Sequence, residues 1–173
     1  MMKKLFAAAA ALGVLLMPSI ARSEDSTASA VAAINSECNA ISLAVMALKP
    51  VHVVLADGTW KVLTEGQYTV AENTHAAVMF VDAYKQGKNY ALIHSHTFGS
   101  GGAQRATELC FRQADGTLER AKQAETVNAL AAAEATAYFA SDGTLLQKTA
   151  TYAENDPAVT KKVADLPYFS SLP

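Results

Sequence analysis

The stretch VAAINSECNAISLAVMALKP, residues 31–50, is the segment that indicates the fold most directly. Its apolar residues recur at alternating spacings of three and four, which is the period of one helix face. They are Val31, Ile34, Cys38, Ile41, Val45 and Leu48. Asp25 and Ser26 are candidate N-caps, and Pro50 ends the pattern because the residue before a proline avoids the helical region. One stripe is too narrow for a helix buried on all sides, so we predict a helix lying across a sheet.

Short apolar runs separated by turn residues follow this helix and predict strands. Three Asp-Gly pairs, which begin at Asp57, Asp115 and Asp142, lie between such runs and predict hairpins, because glycine accepts the positive φ of tight turns. The run QYTV, residues 67–70, is predicted as a further strand. For AETVNALAAAEA, residues 124–135, a short helix or a loop is expected, and propensity favours the helix.

These elements predict a single α+β domain over residues 22–173. An N-terminal amphipathic helix packs on a hairpin-linked, curved antiparallel sheet of about seven to nine strands. A short C-terminal helix is predicted to begin at Asp156, with Pro157 in its first helical position. No linker rich in Gly, Ser or Pro divides the chain.

The N-terminus has the order of a secretory signal peptide. Two lysines precede an apolar run, Leu5–Met17, and small residues follow it. The run is shorter than the ~20 residues that a membrane-spanning helix needs. We therefore expect residues 1–21 to be a signal peptide, with cleavage after Ala21 or Ser23. The protein would be exported to the periplasm or the extracellular space, with no membrane span in the mature chain.

The charge of the mature chain argues against two classes of partner. The predicted signal contains two of the 14 basic residues and none of the 16 acidic ones, so the mature net charge is −4. The remaining Lys and Arg residues are scattered and form no patch. Nucleic acid and anionic membranes are both bound by clustered positive charge, so we expect neither as a partner.

The mature chain has two cysteines, Cys38 and Cys110. In an oxidising compartment an isolated pair predicts a disulfide. The bridge requires Cys110 to face the first helix, yet strand alternation places it opposite Leu109 and Phe111, on the side of Glu108. Two solutions stay open: a β-bulge shifts the register, or the helix covers the more polar face.

The stretch ALIHSHTFGSGG, residues 91–102, contains two histidines one residue apart. On a strand, His94 and His96 point to the same side, and such a pair is half of a Zn²⁺ or Cu²⁺ site. The candidates for a third ligand are His52, His75 and Glu108. The alternative is an ordinary strand with hydrogen-bonded or exposed histidines, followed by a glycine-rich turn.

No complete catalytic constellation emerges from the sequence, so we expect binding rather than catalysis. The predicted function is an exported, non-enzymatic binding module for a protein partner or a small apolar ligand, without a cofactor. The alternative is a metal-binding protein that holds zinc or copper through His94 and His96.

Overall fold

The computed structural model describes residues 20–45, 47–149 and 161–173. Within them lie two α-helices and eight β-strands: α1 Ile20–Val45, β1 Val51–Ala56, β2 Thr59–Leu63, α2 Glu65–Asn73, β3 Met79–Gln86, β4 Asn89–Phe98, β5 Ala103–Phe111, β6 Leu118–Val127, β7 Leu130–Phe139 and β8 Leu145–Thr149. Residues 1–19 of the predicted signal peptide lie outside the described residues, and its last two residues already belong to α1.

The described strands form one open antiparallel sheet in the order β2-β1-β3-β4-β5-β6-β7-β8. This confirms the predicted antiparallel sheet and its number of strands. Strands that are consecutive in sequence pair with each other except β2 and β3, which lie on either side of β1; α2 lies between them in the chain. The turn between β1 and β2 has φ values of 52° at Asp57 and 71° at Gly58, the left-handed conformation expected from that dipeptide.

Two segments adopt the opposite secondary structure to the predicted one. The run QYTV lies in α2, and the prediction of a strand was wrong because Thr64 and Gln67 form a capping box that starts a helix there. The alanine-rich residues 124–135, for which propensity favoured a helix, form the tip of the β6–β7 hairpin. Pairing with β5 on one side of β6 overrides the helix propensity of alanine.

The C-terminal segment, residues 161–173, contains only 3₁₀ turns, at Val163–Asp165 and Phe169–Ser171. The predicted C-terminal helix is therefore wrong for these residues, and residues 156–160 of that prediction lie outside the described ranges. The reason is backbone pairing with the sheet: the amide of Val163 donates to the carbonyl of Gly116, and the amide of Leu118 donates to the carbonyl of Lys161.

Helix α1 packs on one face of the sheet through the predicted stripe. Ile34, Cys38, Ile41 and Val45 are buried there against β4 and β5. By length and composition alone, Asp25–Val45 also meets the requirements for a membrane-spanning helix, as core helices and signal sequences often do. The absence of a membrane span in the mature chain therefore stays a prediction.

The two cysteines meet at disulfide distance beneath α1, with 5.9 Å between the Cα atoms of Cys38 and Cys110. Cys110 lies on the same sheet face as Glu108, since their partners on β4, Leu92 and His94, are two residues apart. Of the two solutions left open by the sequence, the helix covers the more polar face. The register shift that the strand does have comes after Cys110.

The opposite face of the sheet carries the larger apolar cluster. Val53, Ile93 and Leu109 are buried there, and the C-terminal segment covers them through residues that include Leu166 and Tyr168. The ring of Trp60 lies 4.7 Å from that of Tyr168. Both faces are thus covered over the C-terminal halves of β5 and β7 and the N-terminal half of β6 between them, whereas the face that carries α1 stays partly open beside the helix.

Candidate functional site: a polar cleft beside α1

Six polar residues lie directly opposite one another across six adjacent strands. We call them the polar row: His52, Asp82, His94, Glu108, Lys122 and Thr136. The row crosses the face that carries α1 and α2. Basic and acidic side chains alternate along it as far as Lys122. The directly paired Glu108 and Lys122 carry opposite charges, and such pairs stabilise neighbouring strands.

The side chains of the row pair in the order set by the register. The Nδ1 atom of His52 lies 2.7 Å from Oδ1 of Asp82, and Nε2 of His94 lies 3.3 Å from Oε2 of Glu108. The ammonium of Lys122 is 3.7 Å from Oε1 of Glu108. Glu108 therefore joins the histidine of one neighbouring strand to the lysine of the other.

Glu108 is also fixed from beneath α1 by a fully buried arginine, Arg120. Its Nη2 donates to Oε1 of Glu108 at 2.9 Å, and its Nη1 donates to the side-chain oxygens of Asn35 and Asn39 on α1, each at 2.7 Å. Burial alone would raise the pKa of Glu108, but the hydrogen bond with His94 and the charges of two basic neighbours outweigh it and lower that pKa to about 2. The carboxylate is thus ionised at neutral pH.

Helix α2 contacts one histidine of β1 and one of β4. Oε1 of Glu72, on this helix, lies 3.1 Å from Nε2 of His96, whose ring stacks on Phe80 with 5.1 Å between centroids. The ring of Tyr68 stacks on His52 at 4.3 Å. Burial, and then the negative charge of Asp82, raise the pKa of the Tyr68 hydroxyl, so this group is neutral across the physiological range.

A cleft of about 570 Å³ lies above β4 to β7. Residues of the polar row line one side, and small side chains next to the row leave the space open. Ala106 and Ala124 are directly opposite each other on β5 and β6. The lining residues are His94, Ser95, His96, Ala106, Thr107, Glu108, Lys122, Gln123, Ala124, Glu134, Ala135 and Thr136.

The structure brings three of the five predicted metal-site residues into this cleft. His94, His96 and Glu108 line it, and Glu108 contacts His94. The other two candidates are engaged elsewhere: His52 pairs with Asp82, and the ring of His75 stacks on Phe98 at 4.3 Å.

Among the residues that the structure describes, one trio of Cys, His, Asp or Glu has its ligand atoms within 4.8 Å of one another, namely Cys38, Cys110 and Glu119. Its sulfurs are joined to each other and do not ligate as thiolates. Glu119 is buried and accepts a 2.7 Å hydrogen bond from Nε of Arg112. Burial raises the pKa of Glu119, and the bond from Arg112 opposes that shift.

Two residues of the site were missed by sequence reasoning. Arg120 and Lys122 carry no motif, and both lie in an ordinary strand run of the sequence. The one available signal for Arg120 was a lone arginine in a segment, LERAKQ, that pairs with the strand of Cys110. Its burial could be inferred only once α1 was known to cover that face.

Comparisons with protein-family profiles, with curated proteins and with solved structures found no match to this chain. Any assignment of function therefore depends on the geometry and chemistry of the cleft.

Proposed function

We propose that this protein is an exported, non-enzymatic binding module whose cleft beside α1 takes a small ligand with an apolar body. The observation that carries the proposal is the cleft itself, whose volume of about 570 Å³ lies within the range typical of small-molecule sites. The disulfide-distance cysteine pair is consistent with an oxidising compartment and thus supports export.

The lining indicates how such a ligand would lie. The methyl groups of Ala106 and Ala124, which lie opposite each other on the face of the polar row, offer a shallow apolar surface, and the polar row runs along its edge. An apolar body would displace water from the alanines, while a polar group on the ligand would face Lys122 and Thr136. Sites of this kind use few polar groups to orient a ligand that is held mainly by apolar contact.

Among the residues that the structure describes, no nucleophile is paired with a base in this cleft, and we therefore propose binding rather than catalysis. Ser95 and Thr107 lie on the lining strands, but both are buried and belong to the other face of the sheet from His94 and His96. A hydrolytic site would require such a pair within hydrogen-bond reach.

The test is saturable binding of an uncharged apolar dye, N-phenyl-1-naphthylamine, followed by its fluorescence. The Ala124→Phe variant places a ring in the cleft, whereas Ala132→Phe places the same ring on an exposed part of β7 outside it. We expect the dye to bind the wild type and Ala132→Phe, and to lose its site in Ala124→Phe. Equal binding by the two variants, or no saturable binding by the folded wild type, would overturn the proposal.

A further inference from the structure

We propose that the same cleft holds a divalent transition-metal ion, Zn²⁺ or Cu²⁺, through His94, His96 and Glu108. The inference deepens the proposal that this cleft is the binding site, and it can fail independently of dye binding. It also selects Glu108 as the third ligand from the three that the sequence left open.

The first support is the spacing of one imidazole and one carboxylate. Nε2 of His94 and Oε2 of Glu108 are 3.3 Å apart. Two ligand atoms of a tetrahedral zinc with bonds of 2.0–2.1 Å lie about 3.3 Å from each other, so this pair already has the separation that one ion requires. Imidazole and carboxylate are both common ligands of zinc, and imidazole suits copper as well.

The second support is the position of His96. It follows His94 by two residues on β4, so the two side chains leave the same face of the strand with about 6–7 Å between Cα atoms. In this structure Nε2 of His96 pairs with Glu72, and both side chains are partly exposed, at 29% and 41%. The ligand atoms of His94, His96 and Glu108 do not all lie within 4.8 Å of one another in this structure, so metal binding requires the His96 imidazole to turn away from Glu72 and from its stack on Phe80. Exposed ion pairs of this kind contribute little to stability, so giving up the contact with Glu72 costs little.

The third support is the way in which Glu108 is held. Arg120 and Lys122 both contact Oε1, and Oε2 faces His94. Arg120 is anchored to α1 and fixes the carboxylate. Lys122 is partly exposed and flexible enough to turn away from the added positive charge. Three protein ligands leave a fourth position toward the cleft, the arrangement of a metal site that is open to a ligand.

The experiment is calorimetric titration of the mature, oxidised protein with Zn²⁺ alone and with Cu²⁺ alone. We expect one equivalent to bind to the wild type, and binding to be lost in His94→Ala and in His96→Ala. Glu108→Gln should weaken binding by at least the roughly 10–100-fold that loss of a supporting residue costs. With Cu²⁺, electron paramagnetic resonance should show coupling to two imidazole nitrogens.

Two control variants match the chemistry outside the proposed ligand set. His75→Asn removes an imidazole away from the cleft, and asparagine tolerates the φ of 50° at that position. Glu134→Gln removes a carboxylate that lines the cleft but is not next to His94. Metal affinity should be unchanged in both, and equal loss in His75→Asn and His94→Ala would overturn the inference.

The two proposals on this cleft give separable results. No stoichiometric metal binding by a protein that still binds the dye overturns the metal site and leaves the proposed function standing. Metal binding that requires His94 and His96, in a protein that does not bind the dye, supports the metal site and overturns the apolar ligand.

Discussion

Replacing the buried Arg120 by methionine should destabilise the fold more than replacing any exposed arginine. Methionine fills a similar volume and removes the guanidinium that joins α1 to the sheet. Three hydrogen bonds of 2.7 to 2.9 Å disappear, to Asn35, Asn39 and Glu108. The partly buried Glu108 carboxylate and the two amide oxygens then have fewer donors.

The size of the destabilisation depends on the Glu108 charge that Arg120→Met leaves without its buried partner. Removing one partner of a buried ion pair costs about 3–5 kcal/mol, because the other charge stays uncompensated. Lys122, at 3.7 Å, and His94, at 3.3 Å, remain beside Glu108. We therefore expect the free energy of unfolding to fall by about 3 kcal/mol, the lower end of that range. For a chain of this length that corresponds to a fall in Tm of about 6–12 °C.

The assay is urea unfolding at pH 7, followed by the fluorescence of the single tryptophan and by circular dichroism. The matched control is Arg105→Met, because Arg105 is half-exposed and lies 3.9 Å from Glu125. In this variant the free energy of unfolding should fall by less than about 1 kcal/mol. The double variant Arg120→Met/Glu108→Gln should recover part of the loss, because no uncompensated charge remains. Equal stability of the two methionine variants would refute the reasoning.

Three further predictions concern pH, the disulfide and one turn. The pKa of Glu108 is lowered from 4.5 to about 2 in the folded state, so the ionised carboxylate stabilises the fold fully above pH 5, and this stabilisation is lost as the pH falls toward 2. In Glu108→Gln the free energy of unfolding should therefore fall less between pH 5 and pH 2 than in the wild type, by up to about 3 kcal/mol. Cys38→Ser/Cys110→Ser opens a link between residues 72 apart and should cost about 4 kcal/mol in the chain-entropy picture, measured by urea unfolding beside the reduced wild type. Ala129 has a φ of 63°, so Ala129→Gly should raise stability by about 0.5–1 kcal/mol; a lower Tm would contradict strain at that turn.

The sequence was sufficient where one local signal had no competitor. The three-and-four spacing from Ile34 to Val45 predicted both the α1 helix and its buried face, and the Asp57-Gly58 pair predicted its hairpin. It failed where two signals competed. QYTV has the composition of a strand, but the capping box between Thr64 and Gln67 decided for a helix.

The site was only partly predictable, because it depends on register. His94 and His96 were found from a pattern on one strand. Their neighbours come from other strands, and register shifts after Tyr84, Cys110 and Glu125 determine which residues lie opposite one another. A one-residue slip would send a strand's whole set of side chains to the other face. Without the register, no sequence pattern connects His94 to Glu108.

Helix α1 serves the cleft as well as the core. Cys110 and Arg120 are direct neighbours on β5 and β6, and both are tied to α1, one at disulfide distance from Cys38 and the other through two asparagines. Arg120 in turn holds Glu108, which lines the cleft. A loss of α1 from the sheet would remove the asparagine partners of Arg120, and Glu108 would no longer be fixed beside His94. Any perturbation that releases α1, including reduction of the cysteine pair, should therefore weaken binding in the cleft although α1 contributes no residue to its lining.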